Sequence, residues 1–179
     1  MIATKAGIDW RDGQFRHASR ERIFAEVEAS LKRLRTDYID ICHVHWPDPF
    51  TPIEECAEAM LALLQRGKIC AIGVSKFSRL QMRESQRVTR IHTVQPPYNL
   101  FERKSEEEVL PYCFWDGIAT LAYGPPRRGL LSGRMRPETV FSGDDQRRSD
   151  PKFQQPRMDN TSVQLLNSTA SPAKIMAGA

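Results

Sequence analysis

Strand-like and helix-like segments alternate along residues 1–123, which predicts an α/β fold built on a parallel sheet. Three observations carry this. Five short runs rich in β-branched or aromatic residues recur along the chain: "MIAT", "YIDICHVHW", "ICAIGVS", "IHTVQ" and "IATLAY". Between them lie segments with apolar residues at helical spacing, and capping residues punctuate the helix starts. A strand-helix-strand order of this kind is satisfied by right-handed crossovers between parallel strands. An open doubly wound sheet and part of a (β/α)8 barrel both fit the pattern.

The first strand is expected over Met1–Thr4 and ends at Lys5; an Asp-, Gly- and Arg-containing loop follows. Ser19 is placed to cap a helix from Arg20 to Arg35, on which Ile23, Phe24, Val27, Leu31 and Leu34 share one face. The second strand runs from Tyr38 to Trp46 and is stopped by Pro47 and Pro49. Thr51-Pro52-Ile53-Glu54 has the form of a capping box with proline at the first helical position. That helix is expected to run to Arg66, with Gly67 supplying the left-handed residue after it. Ile69–Ser75 is the third strand, and Ser78 caps a short helix from Arg79 to Gln86. Ile91–Gln95 is the fourth, ended by Pro96-Pro97. Ser105–Glu108 predicts a second capping box, with a helix to Trp115 kinked at Pro111 and stopped at Gly117. Ile118–Tyr123 is the fifth strand. Residues 125–157 predict a long loop, and 158–179 a disordered tail unrelated to the folded part.

The composition narrows the function classes. The chain has 179 residues, a net charge of +4 and a pI near 9.0. Its basic residues are spread among acids, with Arg-Arg doublets only at Arg127-Arg128 and Arg147-Arg148, so the stripe expected of a nucleic-acid module is missing. No apolar run is long enough to span a bilayer, and the N-terminus lacks the pattern of a signal peptide. The four cysteines, Cys42, Cys56, Cys70 and Cys113, form no CxxC pair and are expected to be reduced thiols in a cytoplasmic protein.

In parallel α/β folds, chemistry collects at the carboxyl ends of the strands. Those ends carry Lys5, His45, Ser75, Gln95 and Tyr123, each able to hydrogen-bond, which is consistent with a shared site. Singly, each also has a plain structural reading as a surface lysine, a satisfied histidine or a packed tyrosine. His43 and His45 share a strand face at period two, as a metal pair would, but no third ligand stands at a matching spacing. No G-x-G-x-x-G follows the first strand, so the usual dinucleotide fingerprint is absent from that position. From the residues alone, the reading ends at an enzyme-like α/β chain.

Four stretches extend it: "YIDICHVHWPDP", "GKICAIGVSKFS", "VQPPYNLFER" and "GIATLAYGPPRRGLLSGRM". Together, and in this order, they resemble the bacterial aldo/keto reductases, most closely the group with general-stress and inositol-utilisation members. "FSGDDQRRSDPKFQQPR" is similar to that group's stretch after the seventh strand. The resemblance runs to about residue 157. It implies a partial (β/α)8 barrel of about five parallel βα units, the third to seventh strands of the family's barrel, truncated at both ends.

It also implies NADPH as cofactor, with NADH possible, and hydride transfer to a small aldehyde or ketone substrate. By resemblance Lys5 is the family's catalytic lysine, favouring the ionised form of a catalytic tyrosine, and His45 orients the carbonyl oxygen. Ser75 and Gln95 would hold the nicotinamide carboxamide, with Lys76 beside them where the family usually has asparagine. Tyr123 would stack on the nicotinamide ring. The segment Gly124, Arg128, Gly129, Leu130 and Ser132, within the stretch to Gly133, would meet the pyrophosphate. Pro125 and Pro126 depart from the family there and remove N–H donors. The family's tyrosine and aspartate precede the lysine, and neither has a counterpart in this sequence, so turnover by this chain is expected to be impaired. The alternative is a non-catalytic chain that binds nucleotide or a protein partner, or self-associates through open barrel edges.

Overall fold

A computed structural model describes residues 1–10, 15–132, 134–136 and 138–154. The chain divides into two compact units, Met1–Tyr123 and a second that begins at Gly124. The first holds a five-stranded parallel sheet in the order β1 (Ala3–Ala6), β4 (Ile39–Val44), β5 (Ile69–Ser75), β6 (Thr93–Gln95) and β7 (Ala119–Thr120). Sequence neighbours are also neighbours in the sheet, as in successive βα units of a barrel. Helices α1 (Arg20–Leu34), α2 (Ile53–Gln65), α3 (Arg79–Ser85) and α4 (Val109–Trp115) make the crossovers.

Toward the carboxyl ends of the strands the period of two divides the sheet into a dry face and a polar one. Ala6, Cys42, Val44, Ile72, Val74 and Val94 point to one side and join Ile23, Val27, Met60, Leu63 and Met82 of the helices in a single buried core. Burial of such side chains, at about 1.5–3 kcal/mol each, is the main attraction between sheet and helices. Lys5, His43, Ser75, Thr93 and Gln95 occupy the alternate positions.

Several helix ends follow the sequence reading. Ser19 Oγ accepts the Arg22 N–H, and Ser78 forms a reciprocal capping box with Gln81. Gly67 adopts φ 67°, and the Lys68 N–H reaches back to the Leu63 carbonyl. Others differ. Thr51 caps nothing: its hydroxyl donates to the buried Asp48 carboxylate at 2.6 Å, and Pro52 takes the cap position of α2. Ser105 forms no capping box either, because its hydroxyl donates to the Pro97 carbonyl and a short 3-10 turn, Lys104–Glu106, precedes α4. Since α4 begins at Val109, Pro111 lies in its first turn, where no intrahelical N–H is lost and no kink arises.

The last two strands are shorter than expected for a definite reason. The Ile72 N–H is taken by the His92 imidazole, and Pro96 and Pro97 have no N–H to offer. The ladder is therefore interrupted at Pro96 and resumes as a single bridge, with Leu121 and Tyr123 donating to the Val94 and Pro96 carbonyls and Tyr123 accepting from the Tyr98 N–H. A hairpin of β2 (Ile8–Asp9) and β3 (Phe15–Arg16) stands where the sequence predicted loop.

The second unit has little regular structure, as expected. It contains 3-10 segments at Arg127–Ser132, Gln146–Arg148 and Pro151–Phe153. Phe141 and Phe153 meet edge to face, and Leu130 is buried. The expected boundary at residue 158 and the tail beyond it lie outside the described residues. Among the described residues no helix is long and apolar enough to cross a membrane.

Candidate functional site

Strand register places the candidate residues on one face of the sheet but not in one row. Lys5 pairs with His43, His43 with Gly73, and Gly73 with Thr93. One level higher, the His45 N–H donates to the Ala6 carbonyl, and Ser75 pairs with Gln95. Tyr123 bridges Pro97 one level higher again. The residues picked out at the strand ends thus share one face, while Lys5 sits one level below His45.

The lower row is closed by its own contacts. His43 is 1% exposed, and its Nε2 lies 3.1 Å from Thr93 Oγ1. Its other polar bond is to the Thr4 backbone carbonyl, so that side of the ring donates and Nε2 accepts from the threonine hydroxyl. Burial holds the His43 pKa down at about 4 despite the Thr4 bond, and Lys5 adds to the depression. His43 is therefore a neutral, fully engaged structural residue. No group of three or more His, Cys, Asp or Glu side chains suited to a metal ion occurs among the described residues.

The upper rows are open. His45 is half-buried, and burial first, then Lys5, Lys76 and His43, holds its pKa at about 4. At neutral pH it is an uncharged imidazole beside cations, able to donate one N–H to an oxygen. Ser75 is buried, and its hydroxyl donates to the Gln95 carbonyl at 3.0 Å, which leaves Oγ as an acceptor. The Gln95 side-chain amide makes no hydrogen bond among the described residues and is half-buried. Tyr123 is 37% exposed; burial and nearby Glu102 raise its pKa, which keeps the phenol protonated.

Lys76 follows Ser75 with φ 60°, a left-handed conformation in which asparagine and glycine are the comfortable residues. Its ammonium lies 3.2 Å from the Trp46 ring centroid and 5.3 Å from that of Tyr123. Arg16, from the hairpin, reaches the same indole at 4.3 Å. Burial, then Arg16 and Lys5, lowers the Lys76 pKa. Sequence reasoning missed Arg16 and Trp46 as members of this group: strands of two residues carry no periodicity, and Trp46 read only as the end of a strand.

Asp48, also missed, organises the loop after β4. It is 7% exposed and accepts from the Ala18 and Phe50 N–H groups and the Thr51 hydroxyl. Burial pushes its pKa up, but those three donors outweigh it and the net shift is downward.

In the second unit, Gly124 and Gly129 have positive φ, as do Arg127 and Arg128. The N–H groups of Gly129 and Leu131 turn inward to the Pro126 carbonyl, and Ser132 Oγ bonds the Gly129 carbonyl. Arg128 is paired with Asp150 at 3.2 Å. Gly133 lies outside the described residues.

The profile of the aldo/keto reductase family matches residues 1–175. An aldo-keto reductase of Bacillus subtilis is 60% identical over 158 residues, covering 88% of this chain and 48% of that protein. An Escherichia coli protein named an NADH-specific methylglyoxal reductase is 36% identical over 157 residues, covering 80% of this chain and 48% of that one. The chain thus spans about half the length of these relatives. Among solved structures, a glycerol dehydrogenase from Gluconobacter oxydans superposes with a TM-score of 0.87 at 42% identity, covering 98% of this chain and 55% of that one. An aldo/keto reductase from Klebsiella pneumoniae, solved with NADP and acetate, gives a TM-score of 0.62 at 32% identity, covering 75% of this chain and 45% of that one. The five parallel strands with their four helical crossovers are accordingly part of a (β/α)8 barrel, and the chain belongs to the aldo/keto reductase family.

Proposed function

We propose that this chain carries the nicotinamide-facing part of an NADP(H)-dependent carbonyl reductase site, with NADH as the alternative cofactor. The observation that carries the reading is the pairing of Ser75 with Gln95 at the strand ends, below Tyr123 on the same face. A primary carboxamide needs one acceptor and one donor from its site. Ser75 Oγ supplies an acceptor, and the uncommitted Gln95 amide supplies both. The partly exposed Tyr123 ring supplies a flat surface for a nicotinamide, with stacking worth about 0.5–1.5 kcal/mol. The residues present therefore fit the nicotinamide half of the cofactor. When bound, the cofactor supplies the hydride for reduction of a small aldehyde or ketone.

The chain's own groups then have separate tasks. Neutral His45 donates an N–H to the carbonyl oxygen and fixes its direction. Lys5 holds a positive charge beneath it and, in the proposed reaction, favours the charge that develops on oxygen. Lys76 stands at the cofactor edge, its backbone N–H directed at the Gln95 carbonyl. Gly124, Arg128, Gly129, Leu130 and Ser132 are proposed to meet the pyrophosphate, for which Arg128 keeps donors beyond the one on Asp150.

The test is an NADPH titration of the 179-residue chain followed by tryptophan fluorescence, beside an assay of aldehyde-dependent NADPH oxidation. Saturable binding that Tyr123→Ala weakens about tenfold is expected, a change of about 1.4 kcal/mol. Binding unchanged in that variant, or no binding by the folded chain, contradicts the proposal.

A further inference from the structure

Two cations, Arg16 and Lys76, meet on Trp46 at the open strand ends, with Lys5 one level below. Lys5, Arg16 and Lys76 stand close enough for the first two to depress the third, and none forms a salt bridge among the described residues. The nearby carboxylates are otherwise engaged. Asp9 is paired with Arg22, Asp48 accepts three hydrogen bonds, and Glu102 is bonded to Asn99. The arrangement works against its own stability twice. A lysine occupies a left-handed position that is strained for a side chain other than glycine or asparagine. Two cations are also gathered on one indole, at 3.2 Å and 4.3 Å from its centroid. Cation–π attraction offsets part of this. The remaining positive potential is what a bound anion would neutralise.

Resting on the carbonyl reductase reading above, we infer that Lys76 and Arg16, gathered on Trp46, form an anion-recognition pair that selects carbonyl substrates bearing a carboxylate or phosphate. Trp46 follows His45 in the chain, and Lys76 is close enough to His45 to lower its pKa, so an anionic group held on Trp46 keeps the carbonyl end of the same small molecule within the reach of this region. Arg16 also lines a cleft with Phe15, His17 and Phe50, whose two carboxylates, Asp9 and Asp48, are engaged by Arg22 and by three hydrogen-bond donors respectively. Fixing the charged end orients the reacting end, which is how binding energy at a remote group serves the chemical step.

The test uses a chain in which Trp10 and Trp115, both exposed, are replaced by phenylalanine, leaving Trp46 as the single tryptophan. Succinate, inorganic phosphate and the uncharged succinamide are titrated while Trp46 emission is followed. Saturable responses to succinate or phosphate are expected, and the tighter of the two identifies the anionic group. Lys76→Asn, which suits the left-handed backbone, weakens binding at least tenfold, Lys76→Arg retains most of it, and raising the salt weakens it further. Thermal melts verify that each variant is folded. An equal response to succinamide, or wild-type affinity in Lys76→Asn, overturns the proposal. A parallel NADPH titration separates the two readings. Succinate binding without NADPH binding retains the anion pair and sinks the nicotinamide site; NADPH binding without an anion response does the reverse. Simultaneous binding supports the substrate assignment, whereas mutual exclusion gives the pair to the cofactor's phosphates and overturns it.

Discussion

His43 and Thr93 are joined by a 3.1 Å hydrogen bond that passes across β5, the strand lying between their own strands, through the space left by Gly73. A Cβ at residue 73 would come within 2.6 Å of Thr93 Oγ1 and closer still to His43 Cδ2. The glycine is thus a packing requirement of the layer directly beneath the proposed site. Gly73→Ala is expected to lower the unfolding free energy by about 1–3 kcal/mol, as overpacking in a core does. Urea unfolding checks this. A loss below about 0.5 kcal/mol would show that the layer repacks freely.

The depressed pKa of His43 makes an acid limb in the stability curve. The folded pKa is about 4, against 6.5 for an unperturbed histidine. Between those values the unfolded chain binds a proton that the folded chain refuses. The stabilisation is therefore present above pH 6.5 and is lost as pH falls toward 4. His43→Gln removes the titrating group, so its urea midpoint should fall less than that of the wild type between pH 7 and pH 4.5. Parallel losses in the two proteins would contradict the assignment.

Asp48 holds three donors from the loop after β4 and the start of α1. Asp48→Ala leaves the Ala18 and Phe50 N–H groups without their acceptor and should cost about 3 kcal/mol. For a chain of this size that corresponds to a melting temperature lower by roughly 6–12 °C. Asp48→Asn, which keeps one acceptor oxygen, should lose less. Equal melting temperatures for wild type and alanine variant would show that the loop is held by other contacts.

Lys76→Asn tests backbone strain separately from ligand recognition. Asparagine tolerates φ 60° better than lysine, and the change also removes repulsion from Arg16 and Lys5. Unfolding stability is expected to hold or rise by about 0.5 kcal/mol, despite loss of the Trp46 contact. A drop of more than 1 kcal/mol would mean that the cation–π contact outweighs the strain and the repulsion together.

The β-branched runs and capping residues were enough to read the order of the fold, because a parallel sheet with helical crossovers leaves strong periodic signals. Ile69–Ser75 and the start of α1 at Arg20 fall where the sequence puts them. The hairpin at Ile8–Asp9 and Phe15–Arg16 was invisible, since two residues cannot show alternation. Thr51 and Ser105 looked like caps but were claimed by long-range partners, Asp48 and Pro97, that no local window contains. Strand-end counting picked out Lys5, His45, Ser75, Gln95 and Tyr123, which the register puts on one face. It missed their levels, because register depends on pairing across strands: Lys5 stands opposite His43 and below His45. The Arg16–Trp46–Lys76 group was illegible for the same reason, being assembled from three separate segments.

Ser75, Gln95 and Tyr123 are proposed to form a nicotinamide half-site. This is tested most directly by saturation-transfer NMR on reduced nicotinamide mononucleotide, which has the nicotinamide ring but no adenosine. Transfer to the nicotinamide ring protons is expected, displaced by NADPH and lost in both Gln95→Ala and Tyr123→Ala. Transfer that survives both substitutions, or a signal from NADPH confined to its adenine protons, would contradict it.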